Sequence, residues 1–154
     1  MLKSNNIKKG FTIIEVIIVL VIAAIIMVMV FLVVPQLQQS QRNTRRQNYA
    51  RQVLSAINQW YSSNPGSDFS ALTAANQKTA IEGIAGVFKD PTTGGVSFTF
   101  KSDVTGTASS SLGSIMLQTG GTKCSGATYA SGGSGASVII AIEPSTTWCV
   151  ADAN

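Results

Sequence analysis

The chain has 154 residues, two cysteines, no histidine, and 11 basic against 7 acidic side chains. With no imidazole and with the carboxylates spread from Glu15 to Asp152, the raw material of acid–base and metal chemistry is scarce, which argues against an enzyme, a metal site or a cofactor. Lys3, Lys8 and Lys9 supply three of the positive charges; from residue 11 onward the balance is eight basic to seven acidic, so the high isoelectric point is poor evidence for nucleic-acid binding.

The first element is "KKGFTIIEVIIVLVIAAIIMVMVFLVV", Lys8 to Val34. Val16 to Val34 is nineteen residues without a polar side chain, long enough as a helix to span nearly the roughly 30 Å of bilayer hydrocarbon. A secretory signal peptide has a shorter apolar core and a small-x-small cleavage site, which is missing after this run. Positive charge does not orient the segment, because the three lysines before it are matched by Arg42, Arg45, Arg46 and Arg51 behind it. The cysteines do. Cys124 and Cys149 both lie late in a small glycine-rich region, and a disulfide between them, as against two unrelated buried thiols, places that region outside the cytoplasm.

No glycine occurs between Phe11 and Asn64, whereas thirteen of the fourteen follow residue 65. This predicts one long helix, with Pro35 as its only internal obstacle and the expected place for a kink or local opening. Beyond Pro35 the stripe Ala50, Val53, Leu54, Ile57, Trp60 and Tyr61 marks one helical face, so this second half lies against a domain. "SSNPGSD", Ser62 to Asp68, ends the helix. A modest helical signal covers Ala71 to Ile84, followed by turn chemistry in "KDPTTGG". Strands are expected at Val96–Phe100, Ser114–Thr119, Ser137–Glu143 and Thr147–Ala151, the last two joined as a hairpin through Pro144 to Thr146. The Ser/Gly stretches at 106–114 and 130–137 read as exposed loops. The fold class is α+β: a long N-terminal hydrophobic helix, with a transmembrane half and an amphipathic stem, packed against a small antiparallel sheet.

Three further sets of residues invite a function. The arginines 42, 45, 46 and 51 read as a solvated or subunit-facing surface rather than a grip on DNA, for which support is weak. Trp60 and Tyr61 read as core anchors, and Trp148 as packing against the adjacent disulfide rather than as an adhesive aromatic. Glu143, Asp152 and Asp103 are too dispersed for the six or seven oxygens a calcium ion takes.

The segment "KKGFTIIEVIIVLVIAAII" resembles the N-terminal signature of type IV pilins and the related pseudopilins: a short basic leader ending in Gly, then Phe, then Glu as the fifth residue from that Phe, then an apolar run. The resemblance implies cleavage by a membrane prepilin peptidase between Gly10 and Phe11, N-methylation of Phe11, and pairing of Glu15 with the terminal amine of a neighbouring subunit. It implies a leader at 1–10, a transmembrane and assembly helix at 11–35, a stem at 36–63 and a globular head at 64–154 bounded by the Cys124–Cys149 loop. The implied partners are lipid before assembly, an assembly platform in the membrane, and further copies of the chain in a helical filament. Localisation would run from single-pass precursor in the inner membrane to extracellular pilus. The expected function is that of a pilus subunit for adhesion, motility or DNA uptake. The alternatives are a pseudopilin of a type II secretion system and a non-polymerising anchored binding domain. Pro35 departs from the usual positions of helix breakers in the family.

Overall fold

The computed structural model describes residues 10–101, 111–132 and 135–152. The chain divides into two compact units, Met1–Gln38 and Gln39–Asn154. The first holds the apolar part of helix α1 (Ile13–Ser63), and the second holds the rest of α1 with all other elements. Pro35 lies inside α1, with helix on both sides of it: losing one N–H did not end a helix whose flanks contain no other breaker.

Within the second unit α1 buries Ala50, Val53, Leu54, Ala56 and Ile57, the three- and four-residue spacing that keeps one face toward a core. The helix stops where Asn64 turns its side-chain amide back to the Trp60 carbonyl (2.9 Å) and Gly66 takes φ +82°, a conformation that favours glycine. A single 3-10 turn (Phe69–Ala71), capped by Asp68, leads to α2 (Ala74–Ala85), which Thr73 caps and which buries Gln77 and Ile81.

Five strands follow: β1 (Ser97–Lys101), β2 (Ser114–Ser125), β3 (Thr128–Ser131), β4 (Gly135–Ile142) and β5 (Thr146–Ala151). The order across the sheet is β1-β2-β4-β5, with β3 paired to the far end of β2. The expected α+β architecture is present, and every pairing is antiparallel except β1 with β2, which is parallel from Ser97↔Ser114 to Lys101↔Gln118. The 12 residues separating β1 from β2 meet the dozen or so that a parallel crossover requires. The expected loop at 130–137 is largely strand: β3 reaches Ser131 and β4 starts at Gly135. Strand β3 carries too few apolar residues to announce itself. The loop expected at 106–114 lies mostly outside the described residues.

Side chains alternate across the sheet. Ile115, Leu117, Val138 and Ile140 meet the α1 stripe together with Phe69, Ile81 and Phe88. Met116 and Ile139 point the other way and are covered by Tyr129 and Cys149. The cover comes from the long β2–β3 hairpin, whose register with β4 shifts between Gln118 and Thr122. Gly121 and Gly132 have positive φ there, and their backbones bond to each other (3.1 Å). Tyr129 Oη donates to the Met116 carbonyl (2.6 Å), and the Cys124–Cys149 disulfide ties the hairpin end to β5 with a Cα–Cα distance of 5.7 Å. Both faces of β4 are therefore buried, which is why its sequence is a continuous apolar run rather than an alternation.

Trp148 and Cys149 stand on opposite faces, so the expected packing of Trp148 against the disulfide does not occur. Instead Trp148 joins the core on the helix side, with the Arg51 guanidinium 5.1 Å from its ring centroid. Trp60 and Tyr61 are half-buried and pack edge-on to each other, and both also meet Phe69.

Removing the disulfide frees the hairpin end without touching the helix-facing core. Cys124→Ser with Cys149→Ser should lower stability by about 2–5 kcal/mol while helix content persists. Denaturant unfolding followed by circular dichroism, with and without reductant on the parent protein, measures this; equal midpoints in all samples would show that the bridge contributes nothing.

Candidate functional site

The apolar end of the molecule is built on the first turn of α1. Thr12 immediately precedes the helix and Glu15 is its third residue, the T-x-x-E spacing of a capping box. Thr12 Oγ1 accepts from the Glu15 backbone N–H (3.4 Å), and Glu15 Oε2 accepts in return from the Thr12 backbone N–H (2.9 Å) and the Thr12 hydroxyl (2.9 Å). Two N–H groups that a helix start leaves open are thereby satisfied, and the carboxylate stands at the positive end of the helix dipole. All three contacts fall on Thr12, and those to the carboxylate fall on Oε2; Oε1 receives no hydrogen bond among the described residues. The T-x-x-E spacing is legible in the sequence, where it overlaps the leader signature and is hidden by it.

Gly10 and Phe11 lie just outside the helix, with Phe11 88 % exposed. From Ile13 to Leu37 every large apolar side chain of α1 is exposed, and the helix is long and apolar enough there to cross a membrane. So much bare aliphatic surface needs lipid or other protein around it.

Within the second unit the stem is fastened by charge. Arg46 is fully buried, and each of its five N–H groups has an acceptor. Nε reaches Asp90 Oδ2 (2.7 Å) and Nη2 reaches Asp90 Oδ1 (3.1 Å) and Thr92 Oγ1 (2.8 Å). Nη1 reaches Asn43 Oδ1 (3.1 Å) and Glu143 Oε1 (2.8 Å). Arg42 grips Glu143 as a fork, Nε to Oε1 at 2.8 Å and Nη2 to Oε2 at 2.7 Å. Asn43 pairs with the Glu143 backbone in both directions, donating to its carbonyl (2.8 Å) and accepting from its N–H (2.9 Å). The helix is thus joined to the 90–93 turn and to the β4–β5 turn, where the Glu143–Pro144 peptide is cis.

Burial pushes the Asp90 carboxyl up, but the hydrogen bonds from Arg46 and from the Thr93 and Thr92 amides outweigh it and hold the group at about 2. Hydrogen bonds from Arg42 and then Arg46 bring Glu143 down to about 2 as well. Two of the four arginines expected at a solvated or subunit-facing surface are therefore internal ion-pair partners. The acids that answer them, 44 to 101 residues away, give no local sequence signal. Glu143 is thereby committed to arginine, and Asp152 accepts from Asn58 (2.6 Å) and the Ala136 N–H (3.0 Å); Asp103 lies outside the described residues. No cluster of potential metal ligands occurs among the described residues.

Residues 5–31 match the model of the prokaryotic N-terminal methylation motif. This match supports a place for the chain among the type IV pilins and pseudopilins. Comparison with curated proteins and with solved structures gave no match. Members of the family are structural subunits rather than enzymes, and the motif implies processing by prepilin peptidase and assembly in a pilus or secretion system. It fits a membrane-anchored precursor, as does the bare apolar part of α1 in this pilin-like chain.

The buried ion cluster makes the head acid-sensitive. Both carboxyls titrate lower in the folded chain than in the unfolded one, so their contribution is fully present above about pH 4.5 and lost as pH falls toward about 2. Asp90→Asn leaves Arg46 short of a charge partner and should cost about 3–5 kcal/mol at pH 7, with a shallower acid transition than the parent. Denaturant unfolding at pH 7, 4 and 2.5 tests both; an unchanged acid profile in the variant would show that Asp90 does not contribute to it.

Proposed function

We propose that this protein is the structural subunit of a type IV pilus. The leader is removed between Gly10 and Phe11, the new amine is methylated, and the apolar half of α1 passes from the membrane into the interior of a helical filament. The observation that carries this reading is the uninterrupted exposed surface from Phe11 to Leu37 with a single carboxylate, Glu15, at its start. An anchored binding domain needs the apolar surface but has no use for the charge.

An ionised carboxylate in hydrocarbon is costly unless it finds a proton or a partner. Thr12 occupies only Oε2, which leaves Oε1 for a donor from outside the chain, and the cationic amine of a neighbouring Phe11 supplies one. Aliphatic helices slide past one another with little preference, whereas one charge pair favours a single offset. Glu15 then acts as a register mark between subunits. The disulfide-tied head suits a filament outside the cytoplasm, in roles such as adhesion, motility or DNA uptake. A pseudopilin would share the helix and its processing, and filament length distinguishes the two.

Mass spectrometry of the mature protein should find Phe11 at the N-terminus with one added methyl group. In Glu15→Gln the protein should be cut and inserted normally yet yield few or no filaments by electron microscopy, while Thr12→Val has a milder effect. Normal filaments from the Glu15→Gln variant would remove the register role, and an intact Met1 in the mature protein would remove the leader reading.

A further inference from the structure

A cavity of about 250 Å³ opens between the 3-10 turn and the start of α2 on one side and β1 and β2 on the other. It is lined by Phe69, Leu72, Phe100 and Leu117 with Ser70, Gln77 and Thr119, besides Ala74. Both walls are fixed. Phe69 is fully buried, wedged edge-on to Trp60 with ring centroids 5.0 Å apart and 6.1 Å from the Phe100 ring. Asp68 Oδ1 accepts from both the backbone N–H and the hydroxyl of Ser70, each at 2.8 Å. Gln77, 3 % exposed, donates through Nε2 to the Phe69 carbonyl (2.8 Å). A preformed cavity avoids the ordering cost of binding.

The polar groups on its wall are neutral and incompletely used. Gln77 has a second amide proton and its Oε1 without partners among the described residues, although the side chain is almost wholly buried. The Ser70 oxygen, having given its proton to Asp68, retains lone pairs that accept. Among the described residues no charged side chain lines the cavity, so an ionic ligand held by them would be desolvated without a counter-charge. A wholly apolar ligand would leave the Gln77 amide stranded against hydrocarbon. A ring with an apolar face for Phe100 and Leu72 and hydroxyls for Gln77, Ser70 and Thr119 satisfies both surfaces. The volume lies below the roughly 300 Å³ at which sites for drug-sized ligands begin, so it takes one ring and not a chain of them.

We infer that this cavity is a binding site for a neutral hexopyranose, either free or as the terminal residue of a glycan. The site belongs to the head alone and does not depend on whether the chain forms pili. It gives the head a ligand specificity that the assembly helix does not carry.

The test uses full-length protein in detergent micelles, with amide and side-chain resonances followed during titration with methyl glycosides of glucose, galactose, mannose and N-acetylglucosamine. Cyclohexanol serves as the apolar control and sialic acid as the charged one. At least one neutral glycoside should shift the Gln77 side-chain amide together with Ser70 and Thr119 and saturate with a Kd of about 1 mM or tighter. Thr119→Val and Ser70→Ala, which leave the Gln77–Phe69 bond in place, should each weaken binding by about threefold to tenfold, and Gln77→Leu should abolish it. A matching glycan array separates the sources: retention of a glycan ending in the preferred sugar marks a surface glycan as the ligand, and solution binding without retention marks the free sugar. No saturable shift at these three residues with any neutral glycoside overturns the inference, as does equal or tighter binding of cyclohexanol or sialic acid.

Discussion

The Arg46 guanidinium is the constraint on which the head depends. A buried charge costs several kcal/mol in desolvation, and here every donor is answered by residues from the stem, the 90–93 turn and the β4–β5 turn. Hydrophobic packing of the α1 stripe on the sheet gives attraction but tolerates some sliding. The ion cluster does not, because moving the helix by one residue would separate Arg46 from Asp90 and Arg42 from Glu143 together. Packing thus holds the helix and sheet together, and charge fixes which helix residue stands opposite which turn.

The same logic recurs at Glu15, with a different outcome. Arg46 finds its partners within the chain, so its penalty is settled on folding. Glu15 is settled only in part: Thr12 satisfies one oxygen and helps start the helix, while the other oxygen and a long apolar surface have no partner among the described residues. One helix therefore carries an internally completed polar site around Arg46 and an incomplete one at Glu15. That asymmetry is what a subunit requires if it is to fold alone and then assemble.

The sheet is insulated on both sides. The stem covers one face, and the β2–β3 hairpin, bent at Gly121 and Gly132 and fastened by the disulfide, covers the other. The second unit, Gln39–Asn154, is small and has a limited core, and the covalent tie offsets what a small core cannot supply.

By itself the sequence determined the elements whose cause is local. An apolar run with one carboxylate, a stretch without glycine, a 3.6-residue stripe and alternating or continuous apolar strands each state a periodicity, and periodicity is read within a few turns. The methylation motif, with Gly10, Phe11 and Glu15 at fixed short spacings, was legible for the same reason. What only the tertiary structure decided depends on residues far apart in the chain. The parallel pairing of β1 with β2 brings together strands whose direction neither encodes by itself. Strand β3 forms because the sheet offers it a neighbour, and Trp148 turns to the stem because alternation along β5 puts it opposite Cys149. Arg46 looks like any polar helix residue until Asp90 and Glu143 are brought to it, since a charge is buried only where distant groups complete its shell.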